Sequence, residues 1–235
     1  MEGIKSKDRV KEHGEVFTPD SIVNDMLNLV DEQTKGLDIK QKIDFTYLEP
    51  ACGNGNFLIR ILDRKLGLVK QLPENEQELW LLHAIASIYA VDIQRDNVIE
   101  SIDRMTEVIK NGCTDTLELD GKTIKSWATQ GFNLDETLEK NVKCILNRNI
   151  MHGNALSGRQ VDSDWKDKED SPLMITEYNW CDDNITLKEI TFNSLKEDIP
   201  DMYSIEKLYN TVNYKDIYKA TEVITSDDSS DEYDF

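Results

Sequence analysis

Apolar residues recur along the first two thirds of the chain at spacings that alternate between a strand-like and a helical period. Short β-prone runs occupy residues 45–48, 88–92 and 149–152. Helical spacing predicts helices over residues 19–30, 56–66, 76–87, 95–110 and 135–146. Strands that alternate with helices in this way predict an α/β fold with a mostly parallel sheet.

Two segments break this alternation, and both have the pattern of an antiparallel hairpin. The first lies within residues 113–133, where short apolar pieces flank Asp120-Gly121, and we interpret it as an insertion. The second consists of the β-prone runs 173–180 and 185–192 around a polar turn. The chain is therefore expected to comprise a main domain over residues 1–200, a C-terminal arm over 201–225 and an acidic, disordered tail over 226–235.

A glycine-rich turn links the first predicted strand to the helix after it, in the segment YLEPACGNGNFL at residues 47–58. Gly53 and Gly55 let the backbone approach a ligand closely, and the helix that follows presents free N–H groups at its start. Asp92 ends the next strand, where a doubly wound sheet places the acid that accepts hydrogen bonds from ribose hydroxyls. The pattern indicates a site for a nucleotide cofactor.

The spacing disfavours a dinucleotide, whose fold uses G-x-G-x-x-G and an acid about 20 residues later. Here a lone G-x-G is followed by Asn56 and Phe57, and Asp92 lies much further along. Four segments in chain order resemble instead the S-adenosylmethionine-dependent DNA methyltransferases that modify the exocyclic amine of adenine, in the arrangement that begins with F-T-P. These segments are F-T-P at 17–19, E-P-A-C-G-N-G-N-F at 49–57, Y-A-V-D-I at 89–93 and N-I-M-H-G-N-A-L at 149–156.

The resemblance implies a Rossmann-like, doubly wound fold of the class I methyltransferase type, shortened at its end, that binds S-adenosyl-L-methionine. It implies that the F-T-P segment contacts the methionine end of the cofactor and that Asn154, in place of the usual Asp, contacts the adenine ring. The residues that it assigns to the cofactor are Phe17, Thr18, Glu49, Ala51, Gly53, Gly55, Asn56, Phe57, Asp92, Ile93, Asn154 and Ala155. It implies no metal.

The resemblance breaks at the catalytic motif. Family members carry Asp, Asn or Ser followed by Pro-Pro and an aromatic, which holds the target amine and stacks the flipped base. This chain has no Pro-Pro, and Tyr178, Asn179 and Trp180 lie where the motif belongs. These three are the candidate catalytic residues, since they offer an amide oxygen and aromatic faces to an extruded adenine. Their alternation is also typical of one face of a sheet, which is the interpretation that the pattern favours.

Composition changes the expected partners. The net charge of −19 over 235 residues repels duplex DNA, so DNA binding is disfavoured unless a basic partner contributes positive charge. The tyrosine-rich segment 205–224 is compatible with a protein partner or a homo-oligomer. No apolar run suits a membrane and no signal core opens the chain, so a cytoplasmic location without membrane contact is expected.

Three functions stay open on the sequence. The first is a DNA adenine methyltransferase of restriction-modification or phage type that uses an atypical site or is completed by another subunit. The second is a catalytically inactive interaction module with the methyltransferase fold, such as an acidic DNA mimic or anti-defence protein. The third is a methyltransferase that acts on a small molecule or a protein.

Overall fold

The computed structural model describes residues 5, 9, 16–113, 117–119, 122–124, 126–195 and 207–223. The helices are α1 (Asp20–Gln33), α2 (Ile39–Asp44), α3 (Asn56–Val69), α4 (Glu74–Ala86), α5 (Arg95–Asn111) and α6 (Glu136–Asn149), with 3₁₀ turns at Phe192–Leu195 and Tyr214–Lys219. The strands are β1 (Tyr47–Glu49), β2 (Ile88–Asp92), β3 (Leu117–Leu119), β4 (Lys122–Ile124), β5 (Ile150–His152), β6 (Arg159–Val161), β7 (Asp167–Pro172), β8 (Met174–Cys181), β9 (Asn184–Thr191), β10 (Lys207–Leu208) and β11 (Val212–Asn213). None of the helices in these ranges has both the length and the apolar character of a bilayer crossing.

A three-stranded parallel sheet lies at the centre of the fold, in the order β1-β2-β5. The strands follow one another across the sheet in chain order. Right-handed crossovers in that order place every connecting helix on the same face. The side chains of Ile88, Ala90 and Ile150 accordingly belong to one buried core with apolar residues of α3, α4, α5 and α6.

Residues at the start of β8 and just after β9 cover part of the opposite face of the parallel sheet, whereas Ile185 and Leu187 of the same hairpin pack in the helical core. Val91 and Met151 pack there against Leu173, Ile175 and Phe192. Strands β8 and β9 pair along their whole length and form the predicted C-terminal hairpin, and β10 and β11 both add to the outer edge of β9. Strands β3 and β4 pair as the hairpin predicted around Asp120-Gly121.

The predicted α/β class with a parallel sheet is confirmed, but the second face of that sheet differs from the expectation. A doubly wound sheet carries helices on both faces. Here the order β1-β2-β5 contains no reversal, so the crossover helices occupy one face, and on the other face Val91 and Met151 are covered by Leu173, Ile175 and Phe192. The antiparallel share of the structure is therefore larger than the sequence pattern predicted.

Helix α3 extends past the glycine at which its end was predicted. It continues through Gly67 to Val69, and a side-chain carbon at Gly67 would lie 2.7 Å from the Cβ of Trp127. The buried carboxylate of Asp63 accepts hydrogen bonds from the backbone N–H groups of Trp127 and Ala128, the latter at 2.8 Å. Gly67 is thus required for close packing of a loop against the helix, and it does not mark a helix end.

The described part of the predicted arm is docked on the body of the protein. The 3₁₀ turn at Tyr214–Lys219 packs on α6, where Asn141 donates to the carbonyl of Lys215 at 2.7 Å and accepts from the N–H of Tyr218 at 3.1 Å. The predicted acidic tail at residues 226–235 lies outside the described residues.

Candidate functional site

A cavity of about 490 Å³ opens at the carboxyl ends of the three parallel strands. Its volume lies within the range of roughly 300–1,000 Å³ that small-molecule sites occupy. The carboxyl edge of a parallel sheet is also where such folds bind ligands. The cavity is lined by Val16, Phe17, Pro50, Ala51, Gly53, Asp92, Ile93, Gln94, Asn97, Gly153, Asn154, Ala155 and Leu156.

The glycine-rich turn forms one wall of the cavity. Its backbone adopts a conformation that favours glycine at two positions. Gly53 and Gly55 have φ angles of 53° and 87°, in the left-handed region, and Gly55 is the N-cap of α3. A side chain at Gly55 would lie 2.8 Å from the Oγ of Ser101. A side chain at Gly53 would lie 3.0 Å from the ring of Phe17, which packs over the turn.

Asp92 faces this turn from the end of β2. The N–H of Gly53 donates to its Oδ2 at 2.7 Å, and the N–H of Gln94 donates to its Oδ1 at 2.8 Å. The side-chain amide of Asn97 also donates to Oδ1, at 3.2 Å. The residue is only 8% exposed, and these three hydrogen bonds fix its carboxylate at the cavity wall.

Further hydrogen bonds hold the turn in place from outside the cavity. Arg104 donates to the carbonyl of Asn54 at 2.5 Å and to the Oδ1 of Asn56 at 3.0 Å. The amide of Asn56 in turn donates to the carbonyl of Thr18 at 3.0 Å. This chain of bonds joins the F-T-P segment, the glycine turn and α5, so that three distant parts of the sequence define one pocket.

A second carboxylate lies near the cavity, at the end of β1. The Oε1 of Glu49 accepts from the N–H of Ala51 at 3.2 Å. Burial raises the pKa of the Glu49 carboxyl above its usual value, and the nearby Asp92 carboxylate raises it further. Two acids side by side favour a ligand with positive charge at this end of the cavity.

Asn154 follows strand β5 and lines the opposite wall. Its Oδ1 accepts from the N–H of Leu156 at 3.0 Å, and its Nδ2 donates to Asp167 at 3.1 Å. Both ends of the amide are therefore engaged in holding the local turn.

The structure brings most, but not all, of the predicted cofactor residues to the cavity. Phe17, Ala51, Gly53, Asp92, Ile93, Asn154 and Ala155 line it. Thr18, Glu49, Gly55, Asn56 and Phe57 are not among the lining residues. Of these, Thr18 and Glu49 lie next to lining residues in the chain, Gly55 and Asn56 lead from the turn into α3, and Phe57 packs on the main hydrophobic core.

Six lining residues were not predicted: Val16, Pro50, Gln94, Asn97, Gly153 and Leu156. Val16, Pro50, Gly153 and Leu156 adjoin or lie within the segments that carry the resemblance. Gln94 directly follows the segment 89–93 as the N-cap of α5, and Asn97 lies beyond that segment in the first turn of the helix. A polar residue in that position has no sequence signal apart from its closeness to Asp92.

The candidate catalytic residues lie away from the cavity, and the structure does not bring them to it. Tyr178 donates to the Oδ1 of Asn149 at 2.8 Å, and the Nδ2 of Asn149 donates to the carbonyl of Ile88 at 3.1 Å. Ile88 begins β2 and Asp92 ends it, so these two positions are about 13 Å apart at about 3.3 Å per residue. Burial also raises the pKa of Tyr178 well above its usual value, which keeps the phenol protonated.

The surroundings of the other two candidate catalytic residues, Trp180 and Asn179, also indicate a structural role. The ring of Trp180 stacks on that of His83 at 4.0 Å, and His83 stacks in turn on Trp80 at 4.4 Å. Asn179 is exposed on the other face of β8. The trio therefore follows the sheet-face alternation, because successive side chains of a strand point to opposite faces.

Two further reactive side chains among the described residues lie near the cavity, Cys52 and His152. Cys52 is buried beneath the glycine turn, and burial raises the pKa of its thiol above the usual range. The Nε2 of His152 lies 3.1 Å from the carbonyl oxygen of Ile93. Among the residues that the structure describes, no three His, Cys, Asp or Glu side chains are grouped as metal ligands would be.

No protein-family model matches the chain, and no curated protein matches it either.

Proposed function

We propose that the chain binds S-adenosyl-L-methionine in the cavity at the carboxyl ends of β1, β2 and β5, as the cofactor-binding part of a DNA adenine methyltransferase. The observation that carries the proposal is the 2.7 Å hydrogen bond between the N–H of Gly53 and the carboxylate of Asp92 at the cavity wall. Two motifs that the resemblance assigns to one cofactor meet there. When bound, this cofactor supplies a methyl group on a cationic sulfur.

The charges of the cavity suit this cofactor better than a nucleoside phosphate. The cofactor carries a sulfonium and an ammonium group, and the carboxylates of Glu49 and Asp92 attract both. The same carboxylates would repel a phosphate. In this proposal Asp92 orients the ribose and Glu49 lies towards the methionine end.

The strand order supports a catalytic strand that a partner supplies to this sheet. Doubly wound sheets have the order 3-2-1-4-5-6, so their fourth strand stands beside the first. In the proposed correspondence, β5, β2 and β1 are the strands 3, 2 and 1, and β1 pairs only with β2 among the described strands. A strand bearing the Pro-Pro-aromatic motif would add at the free side of β1, from a partner that also contributes basic charge for DNA.

Calorimetric titration tests the binding step. We expect the wild-type protein to bind S-adenosylhomocysteine and S-adenosylmethionine, and Asp92→Ala to bind each at least tenfold more weakly, which is about 1.4 kcal/mol. Asp103→Ala, an exposed acid on α5, serves as the matched control. Asp92→Asn is measured as well, with circular dichroism, so that a loss of binding is not confused with unfolding. Absence of binding by the wild type would overturn the proposal.

A second candidate function is an interaction module without catalysis, and one surface favours it. Ile22, Met26 and Leu29 form a stripe on α1 and are 49%, 50% and 69% exposed. Exposed apolar stripes of this kind mark protein contacts. Labelled S-adenosylmethionine and adenine-containing DNA separate the two functions, since methyl transfer by this chain alone would exclude the purely non-catalytic one.

A further inference from the structure

We propose that Gln94 is a cofactor-recognition residue, and that its side-chain amide donates a hydrogen bond to the adenosyl group on the side where the ribose joins the base. The inference rests on the proposed binding of S-adenosylmethionine. It goes beyond it because neither the glycine turn nor the resemblance assigns a role to this residue.

The backbone fixes Gln94 directly beside the acid of the site. It is the N-cap of α5, two residues after the end of β2, and its N–H donates to the Oδ1 of Asp92 at 2.8 Å. Gln94 is one of the residues that line the cavity, together with Ile93 and Asn97. A ligand held by Asp92 therefore lies beside Gln94, and the Nε2 atom, which is closed off from solvent in this structure, meets the ligand when the side chain rotates towards the cavity.

The amide of Gln94 is buried and has an unused donor. The residue is 8% exposed, and its Nε2 has no hydrogen-bond partner among the described residues. A buried amide that donates no hydrogen bond loses its interaction with water and gains nothing in return. Such groups are rare in folded proteins, and one in the wall of a ligand-sized cavity points to a bond made with the ligand.

Asn154 is less suited to recognise the adenosyl group, although the sequence favours it. Its Oδ1 accepts from Leu156 and its Nδ2 donates to Asp167, so both ends of the amide already have partners in the protein. Asp92 likewise accepts from Gly53, Gln94 and Asn97. Among these three polar side chains, Gln94 is thus the one whose amide nitrogen has no hydrogen-bond partner in the described part of the protein.

The chemistry of the adenosyl group identifies the acceptor as the ribose 2′-oxygen or the ring nitrogen N3. Asp92 can only accept, so it binds ribose hydroxyl hydrogens. A neighbouring N–H complements it by donating to an oxygen or nitrogen lone pair on the same side of the nucleoside. Both acceptors lie where the sugar meets the base, and two analogues of S-adenosylhomocysteine, the 2′-deoxy and the 3-deaza forms, each remove one of them.

Substitution of Gln94 by Met removes the donor while keeping a side chain of similar length. We expect Gln94→Met to bind S-adenosylhomocysteine at least tenfold more weakly in calorimetry. We also expect the ligand-free variant to melt at a higher temperature than wild type, since it no longer buries an unpaired donor. A purely structural glutamine would give the opposite sign for the melting temperature. Gln130→Met, at an exposed position far along the chain, is the matched control.

The analogues test the bond itself. We expect wild type to bind one of the two analogues at least tenfold more weakly than S-adenosylhomocysteine. In Gln94→Met, the affinities for that analogue and for S-adenosylhomocysteine should differ by less than threefold. If Gln94→Met binds S-adenosylhomocysteine as wild type does, or if both analogues lose equal affinity in the two proteins, the role of Gln94 is refuted while the proposed function stands. If wild type binds none of these compounds, the proposed function fails first.

Discussion

At the scale of single residues, two glycines and one carboxylate determine the shape of the cavity. Their identities were predictable, because a left-handed backbone at a turn selects glycine and an acid at a strand end suits a ribose. The hydrogen bond that joins Gly53 to Asp92 was not predictable, since the two residues meet only when β1 and β2 pair. The positions of Gln94 and Asn97 in the cavity wall were not predictable for the same reason, because they depend on how distant segments pack.

Gly55 provides a stability test at this scale. Gly55→Ala is expected to lower the free energy of unfolding by about 1–3 kcal/mol, because alanine is strained at a φ of 87° and its Cβ would lie 2.8 Å from the Oγ of Ser101. Urea denaturation measures the change. Gly36→Ala is the matched control, since nothing lies within 4 Å of an added Cβ there, and we expect a change within about 0.5 kcal/mol. Equal effects of the two substitutions would argue against a strained turn.

At the scale of elements, periodicity predicted the helices well and their ends less well. Helix α5 ends at Asn111, one residue beyond the predicted end, and its C-cap Gly112 has a φ of 77°. Helix α3 passes through Gly67 because the glycine is needed for contact with Trp127, which no local pattern reveals. The aromatic alternation of strand β8 fitted both a base-stacking site and a packed sheet face. In the structure Tyr178 donates to Asn149, the last residue of α6, and Asn149 donates to the carbonyl of Ile88, at the end of β2 away from the cavity.

Tyr178→Phe tests the structural interpretation of β8. The loss of its hydrogen bond to Asn149 should destabilise the protein by about 1–2 kcal/mol, because the buried Oδ1 of Asn149 loses a partner. The dissociation constant for S-adenosylhomocysteine should stay within twofold of wild type. Asn179→Ala, at an exposed position on the same strand, should change neither quantity. Unchanged stability combined with the loss of a measurable methyl transfer would instead indicate a catalytic role for the strand.

At the scale of the whole molecule, net charge is the dominant property. The formal charge of −19 means that long-range electrostatics oppose both compaction and approach to DNA. Several basic residues are also engaged with acids of the same chain, as in the pairs Arg60–Asp20, Arg64–Asp31 and Arg148–Glu189. In the proposed function, the positive charge that binds DNA therefore comes from a partner.

Salt should consequently stabilise the protein. Raising NaCl from about 10 mM to about 150 mM shortens the Debye length from about 30 Å to about 8 Å, which screens repulsion among the excess acids. We expect the melting temperature to rise by about 2–4 °C, which corresponds to roughly 1 kcal/mol for a chain of this size. Differential scanning calorimetry measures the shift, and KCl should reproduce it. A fall in melting temperature would mean that attractive ion pairs outweigh the net repulsion.

The sequence by itself determined the α/β class, the positions of most helices, both hairpins, the glycine turn and the acid at the end of β2. These features depend on local periodicity and on backbone preferences that a few neighbouring residues determine. Tertiary structure alone decided the order β1-β2-β5, the antiparallel cover on the second face and the distance of Tyr178 from the cavity. It also decided which polar groups are left for a ligand, because hydrogen-bond partners such as those of Asn154 and Gln94 are fixed only when distant segments pack together.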